Sequence, residues 1–587
     1  MKLHKDMTNL EIAELLRAVA AAYQLKDADK NKFRIIAYQR VADAVEHATS
    51  ELKDLWDDKK LEEVPGIGAS ISEHLDELFR TGHSKHFEEV MAGLPPAMFD
   101  LMKVPGIGPK TAYKISNKFK SKFKKGNPLK ILEELVTKGE VAKMEGFGEQ
   151  SQTDITKAIE ETKGRTKRLL LPYATSVAEA LIEWLKKEPS IKEANSLGSL
   201  RREGSTVGDI DIAVASDNPD KAIEHFTKYP KKTRVLEKGD RTASIILPGD
   251  IQVDLMVQPP DAYGALLQHF TGSKHHNIAL REYAMKHSMS LSEYGIKVKG
   301  KLKRFSDEEG FYKQLGMDLI PPELREDTGE IDAALHHSLP KLVELKDIKG
   351  DLQIHSDFDI ETSHDVGESS MEEIVQSAKG LGYEYIAFTE HNPSKSGHNE
   401  KQIIDILKRK REKVEQINYS RVTKVFNSLE IDIMPEGNLP VPEAGLATLD
   451  FALVSIHGSF RLDRNKMTKR VLAALAYPKV KIFAHPTARK LNEREGIEVN
   501  WPEIFEFCKK NDKWLEINAD PARLDLPDNL VKEAVKAGVK LSMGTDSHHK
   551  DGLVNMRFGV SVARRGWAEK QNIVNCLSLR EFEREIS

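Results

Sequence analysis

The sequence predicts a multidomain chain: helical domains built on repeated hairpins, then an α+β catalytic module, then a distorted parallel (β/α) barrel. Three observations carry this prediction. A Gly-x-Gly turn recurs at Gly66, Gly106 and Gly146, forty residues apart and each time ahead of a helical pattern. Asp209 and Asp211, one residue apart in a β-branched run, share a strand face because side chains alternate across the pleat. After Gly350, short apolar strands alternate with helices over roughly 240 residues, the pattern of a parallel sheet with functional groups at its strand ends.

With 587 residues the chain exceeds a single core. No apolar run approaches the roughly 20 residues that span a bilayer, and Met1-Lys2-Leu3-His4 lacks the apolar core of a secretory signal, so a cytoplasmic location is expected. Cys508 and Cys576 fall in no metal-binding spacing and read as buried thiols. The net charge of -4 argues against nucleic acid only as a sum: Lys103 to Lys125 holds eight lysines and no acid, a density suited to phosphate contact.

In chain order, Leu10, Ala13, Leu16 and Val19 stand at helical spacing, and Arg34 and Tyr38 share one helix face. The repeats are Val64-Pro65-Gly66-Ile67-Gly68, Val104-Pro105-Gly106-Ile107-Gly108 and the less regular Met144-Glu145-Gly146-Phe147-Gly148. Glycines there permit a tight turn whose free amides face outward at a helix start, a sequence-independent cradle for a phosphodiester. One Gly-Ile-Gly alone is more often a plain turn. Three in register, with lysines beside them, make Gly66, Gly68, Gly106, Gly108 and Lys110 candidate DNA contacts.

A helix expected from about Ser176 to Lys187 leads into the carboxylate-bearing strands. Asp254, on a second alternating strand, can lie beside Asp209 and Asp211 if the strands pair. Three hard oxygen ligands suit Mg²⁺ completed by substrate phosphates, and two ions there serve in-line phosphoryl displacement. Upstream, Gly198 and Ser199 allow close backbone approach to a phosphate, and Arg202 offers a planar fork. Asp261 to Lys286 reads as helical, and turn chemistry from Met317 to Lys349 reads as a tether or surface-hugging linker.

Gly-Ser-x-Arg-Arg, Gly-Asp-Ile-Asp and Val-Asp on a later strand together resemble the palm of the family X DNA polymerases, the family of DNA polymerase beta. His269-Phe270-Thr271-Gly272-Ser273, with Asn277 and Arg281, is similar to that family's nucleotide-binding segment, and the Gly-x-Gly repeats to helix-hairpin-helix motifs. The resemblance implies catalysis by Asp209, Asp211 and Asp254 with Mg²⁺ or Mn²⁺, and a nucleotide held by Gly198, Ser199, Arg202, Gly208, His269, Phe270, Gly272, Asn277 and Arg281. Arg34 and Tyr38 match positions that meet the 5′ side of a DNA gap. The implied partners are gapped or nicked DNA and a dNTP, with a monomeric chain and a role in DNA repair. Departures are His269 for the usual tyrosine, Glu203 for the glycine after Arg-Arg, and Ser70 and His74 where polymerase beta carries lysines. The last pair predicts little lyase activity by the Schiff-base route.

Beyond residue 349 the expected strand ends carry His355, His391, Glu430, His457, His485, Asp546 and His548. A lone barrel histidine is usually a core residue, but a succession of imidazole and carboxylate groups suits Mn²⁺, Zn²⁺ or Fe²⁺. The motif order resembles the PHP domain, which implies a metal cluster bridged by Glu430 that hydrolyses phosphoesters, as a 3′–5′ exonuclease or a related 3′-end phosphoesterase. Gln353 replaces the first histidine of the usual His-x-His, and either His364 or Asp365 serves in the second motif. Arg489 is a candidate phosphate clamp.

The expected divisions are 1–95 and 96–165 helical, 166–258 palm, 259–317 thumb-like, 318–348 linker and 349–587 PHP. Three other functions stay open: another nucleotidyltransferase, a polymerase whose PHP domain is structural, and a scaffold that binds nicked DNA.

Overall fold

The computed structural model describes residue 7 and residues 9–46, 52–57, 59–64, 66–104, 107–124, 126–162, 168–418 and 423–587. The chain divides into two compact units. One comprises Met1–Val177, Thr227–Glu237 and Ser244–Val253; the other comprises Ala178–Phe226, Lys238–Ala243 and Asp254–Ser587.

In the first unit, helices Asn9–Asp27, Lys32–Glu46 and Ala69–Thr81 enclose a core of Leu16, Val19, Val41, Leu75, Leu78 and Phe87. Pro109–Lys118, Pro128–Thr137 and Glu149–Thr162 enclose another, around Leu101, Ile115, Leu132 and Leu135. The three Gly-x-Gly segments close in the same way: the amides of Ile67, Ile107 and Phe147 donate to the carbonyls of Val64, Val104 and Met144 at 3.0–3.1 Å. Gly68, Gly108 and Gly148 each stand directly before a helix. The third turn therefore matches the others despite its looser sequence. Gly106 lies outside the described residues.

In the second unit the strand Ile191–Ser196 pairs antiparallel with Ile210–Ser216. The strand Ile251–Gln258, whose residues from Asp254 onward belong to this unit, neighbours Ile210–Ser216 on the opposite side. The helical stretch expected over Asp261 to Lys286 is two helices, Tyr263–Thr271 and Lys274–Lys286, because Gly272 takes φ +69° and Ser273 caps the second through His276 N–H. The stretch expected as a linker is largely packed: Ile320, Leu324, Arg325, Glu330 and Val343 are buried. Its proline turns are filled by a core that includes Phe311, Tyr312, Ile320 and Leu324.

From Gly350 onward the named strands of the described residues pair in parallel, in one sheet of three strands and one of five. Single-residue bridges, Ile354 with Ser547 and His391 with Glu430, connect them; Ile354 ends the strand Gly350–Ile354 and Glu430 begins the strand Glu430–Asp432. A core of Leu352, Tyr385, Leu453, Trp514 and Phe582 fills the interior, Phe582 entering from the last helix, Leu579–Ile586.

Candidate active sites

Asp211 lies in the strand Ile210–Ser216, Asp209 just before it and Asp254 in the neighbouring strand, and carboxylate oxygens of the three lie within 4.8 Å of one another. Burial, then repulsion from Asp209 and Asp254, pushes Asp211 up to about 7. Three acids held this close repel unless cations or protons intervene, so the donor set fits hard divalent ions.

The Leu197 amide donates to the Asp211 carbonyl at 2.8 Å, which hangs the segment 198–202 from the strand Ile210–Ser216. Gly198 has φ +57°, and a β-carbon there would stand 2.8 Å from Asp211 Oδ2. Ser199 follows in the short helix Gly198–Arg201, and Gly208 is exposed beside Asp209. Arg202 is more engaged than its sequence suggests. Its Nε donates to Glu326 Oε1 at 2.9 Å and its Nη1 to the Thr271 carbonyl, beside Gly272. Arg201 donates to Thr271 Oγ1 at 2.6 Å and to Glu308.

The predicted nucleotide segment clusters: His269 meets the Phe270 ring edge at 4.8 Å, its carbonyl accepts from Asn277 Nδ2 at 2.7 Å, and its ring stands 3.4 Å from Arg281 Nη2. Glu203, the departure from the family glycine, sits half-buried at φ +54° with its carboxyl group facing Ser561, Arg564 and Arg565. Burial raises its affinity for a proton. Nothing in the sequence pointed to that contact, since Ser561 lies over three hundred residues away.

The second cluster gathers at the strand ends of the C-terminal region. His355, Glu430 and Asp546 form one set of groups within 4.8 Å; Glu430, His457 and His485 form another; His391 joins His355 and His548 in a third and His364 and His457 in a fourth. Glu430 is the hub, 2.9 Å from His485 Nε2 and 3.2 Å from His457 Nε2. Despite full burial its carboxyl stays well below the usual range, because His391, His457 and His485 surround it. Burial opposes charge on His355, but Asp546 and Glu430 outweigh it and push that imidazole up to about 10, whereas burial takes His391 down to about 4. Both ring nitrogens of His355, and Nδ1 of His391, lie buried without a well-aligned hydrogen bond. Buried imidazole nitrogens left open toward carboxylates are what metal ligands look like before the ion.

Both candidates of the second motif reach the cluster: His364 as a ring near His391 and His457, Asp365 3.5 Å from His391 Nε2. Gln353 does not stand in for the missing histidine as a free donor set: its Nε2 donates to Glu430 at 2.9 Å and its Oε1 accepts from Asn518. Arg489 is not available as a clamp, since its guanidinium donates to the Arg523 and Leu524 carbonyls. The cation at the cluster is Arg523, 3.5 Å from Asp546, its Nε and Nη1 buried without a hydrogen bond.

Sequence reasoning also missed Asp432, which holds His457 Nδ1 and His364 Nε2 at 2.8 Å each, and buried Glu516, which accepts the His485 amide at 2.7 Å. Asp432 could have been found, two residues past the hub in Glu430-Ile431-Asp432. Glu516 and Arg523 carry no spacing signal.

In the N-terminal unit Tyr38 is buried, stacked 5.8 Å from Tyr23 and 6.4 Å from His86, while the Arg34 guanidinium lies 5.5 Å from the Tyr23 ring. Tyr38, expected as a DNA contact, is therefore not an exposed surface group. His74 stacks on His86 at 3.9 Å, and Lys110 is exposed. Lys103 and Lys122 of the basic stretch are paired with Glu14 and Glu140.

The chain matches a helix-hairpin-helix domain over residues 7–84, a tandem of such hairpins over 98–161, and the DNA polymerase beta thumb over 266–326. It is 32% identical over 583 residues, 98% of this chain and 99% of the relative, to the DNA polymerase/3′-5′ exonuclease PolX of Bacillus subtilis (strain 168). DNA polymerase lambda of Rattus norvegicus is 23% identical over 352 residues, 54% of this chain and 56% of that one. A probable phosphatase of Thermoanaerobacter sp. (strain X514) is 29% identical over 192 residues, 31% of this chain and 73% of its own.

Proposed function

The chain belongs to the family X DNA polymerases, with a PHP-like C-terminal region, and from that premise we propose that it fills short DNA gaps at Asp209, Asp211 and Asp254 while the C-terminal cluster trims 3′ ends. The convergence of those three carboxylates within 4.8 Å carries the polymerase assignment. We place the parallel strands after Gly350 in a distorted barrel closed through the two single-residue bridges.

Mg²⁺ or Mn²⁺ held by the three aspartates would neutralise the triphosphate and acidify the primer hydroxyl. The protein's own part is positional. Asp254, on the separate strand, orients the primer 3′-hydroxyl and takes its proton. Ser199 and the backbone at Gly198 meet the triphosphate, with the free edge of Arg202 beside them. His269 and Phe270 flank the sugar. The hairpin amides and Lys110 hold the DNA backbone, and Arg34 lies toward the 5′ side of the gap.

At the C-terminal cluster His355, His364 or Asp365, His391, Glu430, His457, His485, Asp546 and His548 would hold Mn²⁺, Zn²⁺ or Fe²⁺, which lower the pKa of a bound water. Asp432 and Glu516 fix the orientation of His364, His457 and His485, and Arg523 faces the scissile phosphate. Gln353 ties Glu430 rather than adding a ligand, so one metal position is the weakest.

The experiment is primer extension and 3′ degradation on gapped and single-stranded DNA with wild type, Asp211→Ala and His485→Ala, in Mg²⁺ and in Mn²⁺. Extension lost only in Asp211→Ala and degradation lost only in His485→Ala is the expected pattern. Extension that survives Asp211→Ala, or degradation that survives His485→Ala, defeats the corresponding assignment.

A further inference from the structure

The loop that carries Ser199 and Arg202 is tied to the C-terminal region by a compact ion-pair network. Arg565, at the end of the helix Met556–Arg565, donates from Nη1 to the Arg202 carbonyl at 2.7 Å and to Glu326 Oε1 at 3.0 Å. The same Glu326 oxygen accepts from Arg202 Nε at 2.9 Å. Arg565 is held from its other edge by Asp528, 2.7 Å from both Nε and Nη2. Its neighbour Arg564 donates to Glu323 at 2.7 Å and to the Val343 carbonyl at 3.0 Å, and Ser561, one turn earlier on the helix, faces Glu203 together with both arginines. Arg202 and Arg565 are 14% and 11% exposed at their side chains, so these pairs sit where solvent screens weakly.

Two guanidinium groups thus share one carboxylate. If Arg565 were neutral, Glu326 would pair with Arg202 alone and cancel its charge, so that the incoming triphosphate would meet a neutral pair in place of a net positive one. The Arg202 carbonyl would lose its donor as well, freeing the loop to shift.

We propose that Arg565 is a positioning residue of the polymerase's nucleotide site, acting through Glu326 and the Arg202 carbonyl, so that the C-terminal region sets how tightly the triphosphate is held. Glu203 is the second anchor of the same arrangement. It accounts for an acid where the family resemblance expects glycine: the side chain reaches the C-terminal helix, away from the nucleotide. The inference rests on the polymerase reading above.

The test uses the full chain. Equilibrium binding of a non-hydrolysable dNTP to the enzyme on gapped DNA is compared for wild type, Arg565→Gln, Glu326→Gln and the double variant, alongside KM and kcat for extension. Arg565→Gln should weaken nucleotide binding and raise KM about tenfold with kcat within about twofold, while 3′ degradation is unchanged. The double variant should recover most of the lost affinity, because the unshared carboxylate has gone; a purely structural role for Arg565 predicts further loss instead. Glu203→Gly, whose positive φ glycine adopts without strain, should weaken binding several-fold without unfolding.

Unchanged binding in Arg565→Gln, or no recovery in the double variant, overturns the proposal. The binding measurement needs no turnover. If wild type fails to extend primers, the polymerase reading falls, while the binding comparison still decides the role of Arg565.

Discussion

Gly198 and Asp432 matter through the atoms around them. Alanine at position 198 puts a methyl group 2.8 Å from Asp211 Oδ2 and forces a residue with a β-carbon to φ +57°. The carboxylate and the loop cannot both keep their places. Gly198→Ala should lower single-turnover extension by about 100-fold, the scale of an ångström's misplacement, with gapped-DNA affinity within about twofold. Extension near the wild-type rate would mean that Asp211 tolerates the shift. Asp432 holds two ligand imidazoles at 2.8 Å each without belonging to the sets that converge on Glu430. Asp432→Asn should cut 3′ degradation or metal retention by about 10- to 100-fold, as loss of a carboxylate behind a histidine ligand does. Elemental analysis after dialysis, beside a nuclease assay, reads both.

The helix Lys274–Lys286 supplies a test of pH dependence. His276 is buried, with Nδ1–H donating to Glu330 at 2.6 Å and Nε2 accepting from the Tyr312 hydroxyl at 3.0 Å. Burial lowers the His276 pKa. Burial alone would raise Glu330, but its bonds to His276 and to the Thr328 amide outweigh that and lower it. Both depressed values act in the same direction: the unfolded chain binds more protons than the folded one as pH falls. The histidine contribution is fully present above its unfolded pKa of about 6.5 and declines below it, by at most about 1.4 kcal/mol per pH unit; the glutamate contribution follows below about 4.3. Thermal unfolding from pH 8 to pH 5 should show falling stability, and His276→Gln should flatten the slope between about 6.5 and 5. An equal slope in that variant would locate the acid sensitivity elsewhere. The hairpins make a related point about elements: the third, with Phe147 for isoleucine and no proline, reaches the same turn because the contact that closes it is backbone to backbone.

Over the whole molecule, the second unit joins the three aspartates, the nucleotide segment and the strand-end cluster in one compact body. Metal should therefore stabilise as well as activate. Stripping divalent ions should abolish extension and 3′ degradation and lower the melting temperature, since Glu430 and its histidines then face one another without a cation. Mn²⁺ at about 100 times its Kd should restore about 3 kcal/mol. His485→Ala should blunt that recovery while leaving the Mg²⁺ dependence of extension intact. A melting curve indifferent to both ions would show that the cluster is held by its own hydrogen bonds.

The chemistry was legible in the chain wherever it follows from local periodicity or short spacing. Asp209 and Asp211 share a face because strands alternate, the Gly-x-Gly turns repeat because each is closed within five residues, and imidazole and carboxylate groups stand at strand ends because βα units punctuate the sequence. Nothing local could say that Gln353 ties Glu430, that Arg489 is spent on backbone carbonyls while Arg523 meets the cluster, or that Arg202 is shared with Arg565. Those pairings join residues from 23 positions apart, Arg523 and Asp546, to 363 apart, Arg202 and Arg565. They depend on which charged groups are buried together, and a low-dielectric interior lets each charge be satisfied only by the partner that the fold brings to it.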